Sequence, residues 1–535
     1  MRPAFSVLVL LFLSMGCSNM SERTERNFTA FIDKKAAGIR PVSTELNKFY
    51  WDVFAHKTSF DSLVVKYRYF DKELLKKVEA TSGTDEFMNS FYNSGDDLEF
   101  LEGLEKSGMI KDPLLVRQLG VLKRKYSLVV NDFLPESQVL IGEYFAIQEQ
   151  IDSVSRVNGI SPMIVALQNM DKFRKLKESY VNLIKRLNQS LQESGFSNFY
   201  DYQLYIDEID PAWFSGFLQK MEENTLPDYL ELKRYADSIL INQYKMVPDS
   251  IGYYEYLGVA SSLYLEPQRK AHFRKDSVIS ILNQFLSVQD LGISEILGKS
   301  DLWYDPGKRN FSFVLNIDNE SDIRIFGNYR ESPITLLQLF HEVGHAVHFK
   351  YVDKTIPYFL KEPAPTLAEG VAMFFKSRLE HSPILISQLG INDQATDNHP
   401  IREIINPLDL FSARRFIAGS EFERQFFANP GLNPDSLWGR MVEKYMHIPF
   451  RENRILPFYY YSYHPLTLSA YVEKYLVGYA IAAQLNHFSR HPGFESTLKE
   501  KVLKPGNAFH WQEIIREATG EGLNPEYIKS LIRRK

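Results

Sequence analysis

Apolar residues recur three and four apart along nearly the whole chain, with charges set between them, and this period commits most of the 535 residues to helix. Leu74 to Val78, Leu114 to Val130 and Phe214 to Leu240 carry the pattern plainly. Period-two alternation is scarce. Its clear case is Phe311-Ser312-Phe313-Val314-Leu315-Asn316-Ile317, bounded by Gly307 and Asp318-Asn319, which predicts a short strand over 311–317. A chain this long exceeds one simple core, so several domains or one large body are open to it. No Gly/Ser-rich linker, fixed-period repeat or low-complexity segment divides it, so we read one continuous all-α body from about Asn27 onward. The 14% of aromatic residues suits a large helical core. A net charge of −5 without any long basic block argues against nucleic acid or strongly acidic partners as principal ligands.

Cys17 is the sole cysteine, so no intramolecular disulfide can form. Met1-Arg2 gives a short positive start, and Ala4 to Met15 form an apolar stretch too short to span a bilayer. With Leu13-Ser14-Met15-Gly16-Cys17 behind it, the segment resembles a bacterial lipoprotein signal, although Ser14 stands where such signals usually carry Leu. That resemblance implies a signal over 1–16, acylation at Cys17 and a polar tether over 17–28, ahead of a single domain over 29–535. An ordinary secretory signal with an incidental cysteine is the other reading, and both export the protein.

His341-Glu342-Val343-Gly344-His345 places two histidines four apart, on one helix face and one turn apart, where they can clamp a single ion. Pro333 suits the first helical position, Ser332 can cap, and Leu336, Leu337, Leu339, Phe340 and Val343 supply apolar surface. Zinc with three protein ligands keeps a position open for water, and Glu342 lies within reach of it as a base. The glycine and third histidine of another zinc-protease pattern are replaced here by His348 and Tyr351. A carboxylate from a following helix remains, and Glu369 stands 369 − 345 = 24 residues on. Thr366-x-x-Glu369 also reads as a capping box, and Glu362 and Glu380 compete for the ligand role. His348 suits a structural place better than a ligand's. Donors for an oxyanion are richest in Phe458 to His464, followed by Tyr471, Tyr475 and Tyr479, whose spacing of four puts three phenols, or simply a packed aromatic stripe, on one face.

Taken with Asp322-Ile323-Arg324-Ile325, nineteen residues before His341, the motif and its glutamate spacing resemble the angiotensin-converting-enzyme family of zinc peptidases (gluzincins), and more distantly the thimet-type oligopeptidases. Gly195 to Phe199 and Tyr229 to Ala236 resemble that family's earlier helices. The resemblance implies an almost wholly helical, two-lobed body with a deep central cleft that admits oligopeptides, its catalytic core at about 305–490. It implies Zn2+ as cofactor, His464 stabilising the tetrahedral intermediate, Tyr475 on the oxyanion and Tyr471 as a substrate contact, with His447 a rival to His464. Three departures stand out: Phe311 replaces a histidine that grips the substrate backbone, Ser462 a lysine that binds the substrate C-terminus, and Met373 an acid that orients a zinc histidine. The expectation is an exported zinc metallopeptidase, anchored to a membrane through Cys17 and hydrolysing oligopeptides, with exo- and endo-cleavage equally open. A non-catalytic peptide-binding lipoprotein on the same scaffold is the alternative, and a zinc hydrolase of non-peptide amides a further one. Oligomeric state is not readable from the sequence.

Overall fold

The computed structural model describes residues 4–55, 94–126, 134–158, 170–265, 275–305, 308, 312–330, 333–381, 406–450 and 471–533. Helices dominate. In chain order they are α1 (Ala4–Ala55), α2 (Ser94–Ser107), α3 (Pro113–Tyr126), α4 (Leu134–Asn158), α5 (Met170–Glu193), α6 (Phe199–Ile206), α7 (Pro211–Ser238), α8 (Tyr253–Leu265), α9 (Lys275–Val288) and α10 (Ser294–Lys299). After a small sheet come α11 (Pro333–Tyr351), α12 (Pro365–His381), α13 (Pro407–Ala428), α14 (Pro434–Met446), α15 (Val472–Phe488), α16 (Phe494–Thr497), α17 (Trp511–Thr519) and α18 (Ile528–Ile532). The all-α class expected from the periodicity holds. Leu74 to Val78 lie outside the described residues, as do 127–130 at the end of the second periodic segment. The third segment is α7, continued by a π-helical turn over Ile239–Gln243.

The expected strand is real but shorter, and it has companions. β1 (Asp301–Trp303), β2 (Phe313–Asn316) and β3 (Ile323–Tyr329) form a sheet in the order β1-β3-β2, with β1 parallel and β2 antiparallel to β3. Phe313 pairs with Phe326 and Asn316 with Ile323. The Asp318-Asn319 boundary read from the sequence is the hairpin turn. There the Asp318 carboxylate accepts the backbone N–H groups of Glu320, Ser321 and Asp322 at 2.9, 2.8 and 2.9 Å, and Asn319 takes φ +56°. β3 lies against α11 and so joins the sheet to the helix bearing the histidine pair.

One hydrophobic core runs from α4 to α18. Its centre is α15, where Leu476 to Leu485 are buried on every side, as a helix that is apolar all round must be. α15 packs on α12, and α12 packs on α11. Glycine lets these three helices approach. A Cβ on Gly344 would lie 2.6 Å from Ala372 Cα, and one on Gly478 would lie 3.1 Å from Glu369 Cβ. The backbone around the motif is therefore drawn tight against the helix that carries Glu369.

A satellite core joins α1, α2 and α3 through Phe28, Ile32, Leu101, Leu119 and Leu122, with Phe359 of the main body. Arg117 ties it down further, pairing with Glu208 and donating from Nε to the Asn507 carbonyl at 2.9 Å. The segment expected as a tether over 17–28 is helical here. Its Glu25 accepts the N–H groups of Lys111 and Asp112 at 2.7 and 3.0 Å, and Phe28 is fully buried. Cys17 falls within α1, and its side chain is outside the described set. Among the described residues, no helix is long and apolar enough to cross a membrane.

Candidate metal centre

α11 carries His341 and His345 one turn apart, their ring centroids 4.9 Å apart and their planes at 86°. Glu369, in the first turns of α12, closes the group. His341 Nε2 lies 3.4 Å from Glu369 Oε2, and His345 Nε2 lies 3.7 Å from Oε1. One donor atom from each of the three falls within 4.8 Å of the others. The chain thus brings together the three residues that the sequence singled out as ligands. The competing capping box does not form: the Glu369 carboxylate turns to the histidines, and Thr366 Oγ1 is buried without a hydrogen-bond partner among the described residues.

The electrostatics of the three fit a divalent cation. Burial holds the His341 imidazole well below its ordinary pKa and lowers His345 to about 4, so both are neutral ligands at physiological pH. Burial raises Glu369 to about 7, against the opposing pull of the Tyr471 hydrogen bond and the Lys474 charge. Its Oε2 is buried and has no hydrogen-bond partner among the described residues. A buried carboxylate oxygen left unpartnered costs free energy, and a cation between it and two neutral imidazoles supplies what is missing.

Glu342 is 6% exposed, beside the group but outside it. Burial pushes its carboxyl up to about 8, with Glu369 adding and Ser312 opposing. Ser312 donates to Glu342 Oε1 at 2.9 Å from the residue just before β2. Sequence reasoning missed this contact, because nothing local marks a serine 30 residues upstream as a partner of the motif.

Carboxylates engage Tyr471 and Tyr479. Tyr471 donates to Glu369 Oε1 at 2.7 Å and Tyr479 to Asp409 Oδ1 at 2.8 Å, while the half-buried Tyr475 stacks on Phe416 at 5.2 Å and 15°. Lys376, two turns beyond Glu369 on α12, meets Asp409 at 2.5 Å, and its charge helps keep His341 neutral. Met373 is buried apolar surface where an orienting acid was sought. His348 is buried one turn past His345, apart from the converging donors. Glu362 pairs with Lys125 at 3.0 Å, which removes it as a competing ligand. His447 ends α14 in the left-handed region at φ 53° and is not in the metal-holding group. His464, Phe311 and Ser462 lie outside the described residues, as does the side chain of Glu380.

No protein-family model matches the chain. The oligoendopeptidase F homolog of Lactococcus lactis is 24% identical over 225 residues, 38% of this chain and 34% of that protein. Carboxypeptidase 1 of Bacillus subtilis is 23% identical over 294 residues, 46% of this chain and 56% of that protein. The chain therefore spans between about a third and just over half the length of these curated relatives. Among solved structures, PZ peptidase A superposes with a TM-score of 0.66 over 97% of this chain and 95% of its own, at 15% identity. Metallocarboxypeptidase 1 of Trypanosoma cruzi does so with 0.61 over 97% and 100%, also at 15%. At such identity the structural likeness is one of fold. These relatives are oligoendopeptidase and carboxypeptidase types, and they correct the nearer resemblance to angiotensin-converting enzymes. The more distant likeness to thimet-type oligopeptidases is compatible with them. The motif and its glutamate spacing were the specific part of that reading, and the residues that would have narrowed it further are those that depart: Phe311, Ser462 and Met373.

Proposed function

We propose that the chain is an exported zinc metallopeptidase acting on oligopeptides, with His341, His345 and Glu369 as ligands and Glu342 as general base. The observation that carries this reading is the convergence of those three donors within 4.8 Å, with Glu342 next to His341 on the same helix. Peptidase relatives over part of the chain support it.

A zinc ion held there would polarise the scissile carbonyl and lower the pKa of a neighbouring water towards ~7. Glu342 takes the proton from the attacking water and passes it to the nitrogen of the leaving amine. Ser312 keeps the carboxylate turned to one side while this happens. Tyr475 and His464 are proposed as donors to the developing oxyanion. The lipoprotein-like start supports the further proposal that the mature chain lies on the outer side of a membrane, attached through an acyl group on Cys17.

The test is cleavage of a mixed quenched-peptide library by protein lacking residues 1–17, with and without chelator. Chelator-sensitive cleavage is expected, and the product ends then distinguish trimming of C-termini from internal cuts. Stoichiometric metal without any turnover would instead favour a peptide-binding protein on this scaffold.

A further inference from the structure

The two oxygens of Glu369 have different surroundings. Oε2 lies 3.4 Å from His341 Nε2 without a hydrogen-bond partner among the described residues, whereas Oε1 accepts the Tyr471 hydroxyl at 2.7 Å from 102 residues away. Tyr471 is itself held from several sides. It is the residue immediately before α15, its ring meets Tyr475 at 5.0 Å, and Lys474 Nζ sits 4.6 Å from the ring centroid. Lys474 in turn pairs with Asp207 Oδ2 at 2.9 Å, with both side chains 5% exposed or less, and Asp207 is the residue that ends α6. Gly478, two turns into α15, brings that helix against the backbone at Glu369.

A glutamate ligand swings on three torsions, and its last torsion, about the carboxylate plane, is broad and poorly set by rotamer preference. Left alone, Glu369 would have to be ordered each time an ion binds. A hydroxyl fixed on Oε1, the oxygen 3.7 Å from His345 Nε2, removes that freedom beforehand and leaves Oε2 turned to His341. We infer that Tyr471 is a positioning residue of the metal centre, which orients the Glu369 carboxylate for the ion and is braced by Lys474 and Asp207. This role differs from the substrate contact that the family resemblance assigned to Tyr471, and it rests on the metallopeptidase reading above.

The test is zinc affinity, measured by titrating metal-free protein against a chromophoric chelator of known affinity. Wild type, Tyr471→Phe, Tyr475→Phe and Glu369→Ala are compared, with the unfolding temperature of each metal-free chain recorded beside it. Tyr471→Phe should bind zinc about 10- to 100-fold more weakly, the usual cost of removing a partner of a metal ligand, with the metal-free unfolding temperature little changed. Tyr475→Phe, which leaves the Tyr471 hydroxyl in place, should stay within about twofold of wild type, well below that range. Wild-type zinc affinity in Tyr471→Phe overturns the inference, and the same result with a raised KM for peptide would put the hydroxyl on the substrate instead. A wild-type chain that binds no zinc, or a Glu369→Ala chain that binds it as tightly as wild type, would overturn the metal-centre reading itself, and so the two failures are separable.

Discussion

Ser312 meets Glu342 through one hydrogen bond of 2.9 Å to a carboxylate that is otherwise deeply buried. A bond of that kind contributes about 1.5 kcal/mol, so Ser312→Ala should lower kcat about tenfold while KM and zinc content stay as they were. Kinetics alongside metal analysis check this; a fall in zinc content would mean that Ser312 supports the site more broadly. Glu342 also makes a prediction about pH. In metal-free protein its pKa stands at about 8, raised by burial from the ordinary 4.5. Below the ordinary value the carboxyl is protonated in both folded and unfolded chains and contributes nothing. Between 4.5 and about 8 the unfolded chain has lost the proton and the folded chain has not, so stability falls as pH rises. Chelated Glu342→Gln should therefore match wild type near pH 4 in denaturant unfolding and exceed it by roughly 2 to 4 kcal/mol near pH 8. A difference independent of pH would contradict the burial of this group. At this scale the motif residues were legible because a helix converts a spacing of four into one face, and Glu369 was legible as the carboxylate of a following helix. Ser312 and the partner of Tyr471 were not, since each contact is made by the fold across 30 and 102 residues.

Gly344 separates the two motif histidines and touches the next helix, and these facts belong together. With a Cβ at 2.6 Å from Ala372 Cα, α11 and α12 cannot keep their present distance if the position carries a side chain. Gly344→Ala should cost about 1–3 kcal/mol in unfolding free energy, as overpacking does, and reduce zinc occupancy, because His345 and Glu369 ride on the two helices being forced apart. Unchanged stability and occupancy would show that the contact relaxes freely. The helices themselves were readable from apolar spacing. The sheet was less so. β3 is buried at six of its seven positions, which removes the alternation that identifies a strand, and β1 has only three residues. β2 alone kept a polar Asp318-Asn319 turn and enough alternation to be read, two residues too long at its start and one at its end.

Across the molecule, the long helical core packs α12 between α11 and α15, and two of the carboxyls that burial raises, Glu342 and Glu369, lie there. The prevalence of helix followed from the sequence because a 3.6-residue period needs no tertiary information. The packing of α1 on α2 and α3 did not follow, because a polar stretch such as 18–26 gives no sign of the Glu25 contacts that dock it. The pairing of metal with base is the centre of the proposed chemistry. Zinc content and peptide turnover of Glu342→Gln should be measured beside wild type. About one zinc per chain in both is expected for a three-ligand site, with turnover reduced by about 100- to 10,000-fold in the variant. Full turnover in Glu342→Gln, or a wild-type chain that cleaves peptides without any bound metal, would contradict it.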